Sequence, residues 1–224
     1  SVRCWGYNGE GELGDGTTMP RSGPVLSGVR RALGITAGYD IGCAWLSGYA
    51  QCWGSNMRGI LGVGDGSAGP AVMGLTDATQ MSANELTVCA LRAGGTVSCW
   101  GRNGNGQVGD GTTTDRNAPV DAVGLTDAIA VATGSTSNCA LRTGGAISCW
   151  GANATGEFGN GANIPSIVPV ALPGIPAAAV LAMGGGHVCA ANEVGVWCWG
   201  ANNHGQLGDG STVASNTPVR VVGL

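Results

Sequence analysis

One tripeptide recurs five times along these 224 residues: Cys4-Trp5-Gly6, Cys52-Trp53-Gly54, Cys99-Trp100-Gly101, Cys149-Trp150-Gly151 and Cys198-Trp199-Gly200. Successive copies start 48, 47, 50 and 49 residues apart. A unit of that length cannot bury its own apolar face and must stack on its neighbours, so the period constrains the fold more than any single residue does. It also makes most motif-like residues structural. Function has to be sought where the copies differ.

Aligned copies give one unit of four short strands. Around Cys99 these are residues 79–83, 87–92, 96–100 and 119–123; in the next copy they are 128–132, 138–142, 146–150 and 168–172. Each segment alternates β-branched with small residues, which is period 2 rather than 3.6. The pairs Gly94-Gly95 and Gly144-Gly145 mark hairpin turns that need positive φ. With 43 glycines and no Gly-X-Y period, the glycines read as turns between strands, not as collagen or disorder. Four antiparallel strands per roughly 50 residues is the pattern of a propeller blade.

The most regular element is a long loop. It reads Asn8-Gly9-Glu10-Gly11-Glu12-Leu13-Gly14-Asp15-Gly16-Thr17-Thr18 in the first copy, with close variants from Asn103 and Asn202. The apolar residues Leu13, Leu61, Val108, Phe158 and Leu207 are expected to plug each loop onto its own blade. Asp15, Asp65, Asp110 and Asp209, with Asn160 in the fourth copy, suit turns stabilised by backbone N–H groups. With one Asp per loop among glycines, turn stabilisation is expected rather than a calcium loop, which places several oxygen ligands at alternating positions.

These residues resemble the regulator of chromosome condensation repeat: Trp-Gly-x-Asn, then Gly-Gln-Leu-Gly-Asp-Gly, then Pro-Val, then Ala-Gly before Cys-Ala-Leu. The resemblance covers the whole chain and implies a β-propeller, usually of seven blades. It implies binding, exchange-factor or inhibitory roles in general, and transfers no functional residue to this sequence, because the matching positions are structural.

Eight of the nine cysteines fall into local pairs: Cys43/Cys52, Cys89/Cys99, Cys139/Cys149 and Cys189/Cys198. Each pair has eight or nine residues between its members and sits on two strands joined by a hairpin. Directly opposed residues on antiparallel strands come close enough for a disulfide, so one cross-strand bridge per blade is expected. The spacings are too long for zinc knuckles. Buried free thiols acting as small apolar groups are the remaining alternative. Disulfides would place the chain in an oxidising compartment: secreted, periplasmic or at the cell surface. Cys4 is left unpaired, since its mate would lie on a strand before it. Residues 1–26 then form a half blade, and 33–76, 77–125, 126–174 and 175–224 form four full blades. This organisation is expected of a segment of a longer propeller, with completion by a neighbouring subunit as the alternative.

Composition narrows the function classes. The net charge is −4 and all ten basic residues are scattered arginines, so no basic stripe is present for nucleic acid. No apolar run reaches the length of a membrane span. No acid, base and nucleophile recur together, so no enzyme, metal or cofactor is expected. His187 reads as a structural hydrogen-bonding residue and His204 as a solvated one. The tryptophans of the tripeptide are expected to pack blade on blade. Aromatics that are not shared by all copies, namely Tyr7, Tyr39, Trp45, Tyr49 and Trp197, are candidates for a binding surface. Asn153-Ala154-Thr155 is a glycosylation sequon in a loop expected at the surface. The lysine-free, arginine- and glycine-rich composition points to a bacterial source. The resulting expectation is an all-β, disulfide-stapled propeller that binds or scaffolds another protein. The alternatives are a lectin-like glycan binder and a subunit of a surface appendage that self-associates through its incomplete blade.

Overall fold

The computed structural model describes residues 1–64, 71–173, 175 and 177–224. Five antiparallel sheets follow one another along the chain. The first pairs β1 (Arg3–Gly6) with β2 (Arg21–Leu26). The second contains β3 (Gly34–Ala37), β4 (Ile41–Leu46) and β5 (Tyr49–Gly54). The third runs β6 (Ala78–Ala83), β7 (Thr87–Arg92), β8 (Val97–Gly101) and β9 (Arg116–Asp121). The fourth runs β10 (Ala128–Thr133), β11 (Ser137–Arg142), β12 (Ile147–Gly151) and β13 (Ser166–Leu172). The fifth runs β14 (Val180–Met183), β15 (His187–Asn192), β16 (Gly195–Gly200) and β17 (Ser215–Arg220). In each sheet, strand order in space equals order in sequence, as in a propeller blade.

Among the described residues the second sheet has these three strands and a bridge between Gln51 and Ala71; the stretch where the fourth strand is expected falls mostly outside the described residues. Asp65, one of the recurring loop acids, lies outside the described residues.

In the third and fourth sheets the middle strands are buried on both faces, because each of these sheets is sandwiched between two others. Every residue of β8 and β12 is buried, while the outer β9 and β13 keep exposed positions. The apolar core therefore lies between blades. One cluster joins Ile41 and Cys43 of the second sheet to Met81, Val88 and Trp100 of the third. The next joins Val97 and Val108 to Val131 and Trp150, and another joins Ile147 and Phe158 to Val188 and Trp199. Ala44, Ala90 and Ala140, at one position on the second strands of successive sheets, are fully buried at these junctions.

Four cross-strand disulfides form as expected: Cys43–Cys52, Cys89–Cys99, Cys139–Cys149 and Cys189–Cys198. Each joins residues in direct register on the second and third strands, with Cα atoms 4.0–4.1 Å apart. Cys4 is free and half-buried.

Candidate functional site

The long loops are held by an asparagine, a residue less conspicuous in the sequence than the recurring aspartates. The Asn103 side-chain N–H donates to the Thr112 and Thr114 carbonyls at 3.1 and 3.0 Å, and its oxygen accepts from the Val108 N–H at 2.9 Å. Asn8, Asn153 and Asn202 repeat this arrangement, and Asn56 keeps its bond to the Leu61 N–H. The sequence does carry a signal for it: asparagine follows every Cys-Trp-Gly after one residue. The aspartates act within the same hub. Asp15 accepts from both the side chain and the backbone of Thr17 and from Arg21, which hold its carboxyl pKa at about 2. At Asp110 burial opposes ionisation, but bonds from Thr112 and Arg116 outweigh it and the pKa is lowered.

The loop hub carries the tryptophan contact between blades. Trp53, Trp100, Trp150 and Trp199 each donate their indole N–H to a backbone carbonyl of the preceding loop. The acceptors are Glu12, Ile60, Gln107 and Glu157, at 2.8, 2.7, 2.6 and 2.8 Å. Leu13, Val108, Phe158 and Leu207 are buried as the expected plugs; in the second copy Ile60 is fully buried and Leu61 partly so. The sequon is a different matter. Asn153 is 1% exposed and its amide is committed to the Ala162 and Ile164 carbonyls, which is inconsistent with an accessible glycosylation site. The His187 ring packs over Gly184.

The structure separates the aromatic candidates. Tyr7 and Tyr39, 71% and 80% exposed, flank one groove with Glu10 and Asp40. Trp45 lies over Gly34 and packs against the core, and Tyr49 ends its hairpin. Trp197 is remote, on β16 beside Arg220. The five therefore form no common patch. Tyr7 and Tyr39 instead border a cleft of about 450 Å³ between the first and second sheets. Val2, Cys4, Trp5, Glu12, Ile35 and Trp53 also line it. Among the described residues no cluster of three or more His, Cys, Asp or Glu could hold a metal, and no helix is long and apolar enough to cross a membrane.

Residues 94–141 and 195–224 match the family described as the regulator of chromosome condensation (RCC1) repeat, and a second description of that repeat matches 78–107. The matched stretches contain the tryptophan and asparagine hub. The matched stretches carry the RCC1 repeat. Solved propellers built of RCC1 repeats superpose on the chain. Yeast RCC1 (Prp20) bound to Kap60 gives a TM-score of 0.80 at 19% identity, covering 93% of this chain and 53% of that one. Human WBSCR16 gives 0.80 at 21% identity, covering 97% and 61%. Prp20p from Saccharomyces cerevisiae gives 0.79 at 19% identity, covering 97% and 55%. The chain thus spans little more than half the length of these structures.

Proposed function

We propose that this chain is a non-enzymatic RCC1-repeat propeller that binds or scaffolds other proteins outside the cytoplasm, whether secreted, periplasmic or on a cell surface. The observation that carries the reading is the disulfide at one register position in four successive sheets. Such bonds persist in oxidising compartments and are rare in reducing ones. The exposed cleft between the first and second sheets, apolar inside and acidic at Glu10 and Asp40, is the surface for a protein contact. Protein binding has precedent among the solved relatives: yeast RCC1 (Prp20) is bound by Kap60, and Prp20p has binding properties toward Gsp1p and histones. The test is fractionation of the source cells. Non-reducing mass analysis of the extracytoplasmic fraction should show four disulfides, and crosslinking there should capture a protein. Recovery of the chain from the cytoplasm with nine free thiols would overturn the reading.

A glycan-binding reading has its own observation. Two equivalent grooves open between successive outer loops, of about 360 and 350 Å³. Asn105, Asn163 and Ser166 line the first, and Thr155, Asn163 and Asn216 the second. Amides and hydroxyls are suitable partners for sugar hydroxyls. A glycan array showing saturable binding that Asn163→Ala abolishes supports it, and a blank array sinks it.

A further inference from the structure

Three successive junctions, from the second sheet to the fifth, share one floor. The loop glycines Gly59, Gly106 and Gly156 abut Asn117, Ile167 and Asn216 on the outer strand of the next sheet. The approach needs glycine, since a Cβ there would meet backbone atoms at 2.4–2.8 Å. The carbonyls of the same three outer-strand residues accept the N–H groups of Gly64, Gly111 and Gly161 at 2.8, 3.0 and 2.8 Å.

Above that floor the junctions diverge. Between the second and third sheets Arg58, just before Gly59, pairs with Asp115, two residues before Asn117, at 3.2 Å. The ion pair spans the junction. At the next junction Asn105 and Pro165 hold those two positions, and at the one after it Thr155 and Ala214 do. Proline and alanine carry no side-chain group that could close the bridge. Grooves of about 360 and 350 Å³ open there, lined by these very residues.

The two grooves are contiguous, because Ala154 and Asn163 line both. Asn163 is exposed. Its amide donates to the Ala154 carbonyl at 2.9 Å and accepts from the Asn216 amide at 2.8 Å. Those bonds fix its orientation and leave one N–H and one oxygen lone pair for a ligand. Neighbouring copies have threonine at this position, Thr113 and Thr212. Asn105 is exposed too, and its side-chain amide has no partner among the described residues. Pro165 and Ile167 add apolar wall to the first groove, and no charged residue lines either one.

We propose that the two grooves form one site for a linear, uncharged oligosaccharide, which crosses Asn163 and lies against both junctions. The proposal rests on the glycan-binding reading and names its ligand class. Charge selects a neutral chain: an ionic group entering here would lose water with no opposite charge to meet it. Backbone chemistry selects sugar over peptide. Extended peptides are held by main-chain bonds to a strand edge, and here the floor carbonyls are already taken by the loop glycines. What remains is amides, hydroxyls and small apolar surfaces, which suit the hydroxyls and C–H faces of sugar rings.

The test uses the whole chain, and the Arg58–Asp115 pair supplies its variants. Asn105→Arg with Pro165→Asp closes the first groove; Thr155→Arg with Ala214→Asp closes the second. Each copies a bridge the fold already holds. On a glycan array the hits should be linear neutral chains, and they should persist in high salt because no charge is involved. Titration calorimetry then follows the tightest of these chains as a length series from disaccharide to octasaccharide. Oligomers that reach both grooves should bind one per protein, at least about tenfold more tightly than the disaccharide. Closing either groove should remove that gain and leave the short oligomer bound in the other. Should a bridged variant not fold, the length series and the stoichiometry of the unaltered chain decide alone. Affinity independent of length, two oligomers per chain with each closure merely halving the number, or branched or charged chains as the main hits would each overturn the single-site proposal and leave the glycan reading standing. A blank array removes both.

Discussion

The Trp100 indole N–H donates to the Ile60 carbonyl at 2.7 Å, a bond that ties β8 of one blade to the loop of the blade before it. It joins residues 40 positions apart, and its copies at Trp53, Trp150 and Trp199 repeat it along the chain. Both the indole and the acceptor lie in the apolar seam, so the bond is made where water cannot replace it.

Removing that side chain should open the seam. Trp100→Ala is expected to cost about 3–5 kcal/mol, the range for truncating a buried aromatic. Trp100→Phe keeps most of the area but orphans the Ile60 carbonyl, at about 1–3 kcal/mol. Urea unfolding at neutral pH measures both. Trp5→Ala, at the exposed copy, should cost less than about 1 kcal/mol by the same measure, as surface substitutions usually do.

Each disulfide closes a short loop, and in the chain-entropy account a ten-residue loop contributes about 2–3 kcal/mol. Reduction under native conditions should therefore lower the thermal midpoint substantially, and Cys139→Ala with Cys149→Ala together should lower it by part of that amount. A midpoint unchanged by reductant would show that the pairs contribute nothing as bonds.

The loop aspartates should make stability depend on acid. The folded-state pKa of Asp15 is lowered from 3.8 to about 2, first by the Thr17 hydroxyl and backbone and then by Arg21. Asp110 and Asp209 are lowered as well. A carboxylate with a depressed folded pKa stabilises the fold at pH above its unfolded value, and loses that contribution as pH falls through the folded value. Thermal midpoints should hold from pH 7 to about 4 and fall between about pH 4 and 2. In Asp110→Asn the acid-induced fall should be smaller.

Asn138 sits where two other blades have Val88 and Val188, opposite the buried tryptophan. Its amide N–H donates to the Gln107 carbonyl at 2.7 Å, an acceptor already bonded by Trp150, while its own oxygen is buried without a partner. Asn138→Val removes that orphaned oxygen and leaves the carbonyl satisfied. It should be neutral or stabilising by up to about 1 kcal/mol in urea unfolding, because an apolar side chain suits the site better than a half-bonded amide.

Asn153 should be unmodified even when the chain is made in a glycosylating host, since its amide is bonded inside the loop. Peptide mapping checks the site. Asn153→Ala should destabilise by about 1–3 kcal/mol through loss of the buried hub bonds.

The sequence by itself determined the repeat, the strand chemistry of each unit and the pairing of eight cysteines. These are local properties: residues 9 or 10 apart on one hairpin have little choice of partner, and a period near 50 residues repeats the choice. It also marked Cys4 as unpaired. Tertiary structure decided what depends on neighbouring blades. The tryptophan acceptors lie 40 to 43 residues away, and carbonyls carry no residue signature, so no motif announces them. Burial of Asn153 turned a surface-looking sequon into a loop hub, and the five unshared aromatics scattered because stacking, not sequence spacing, sets their distances.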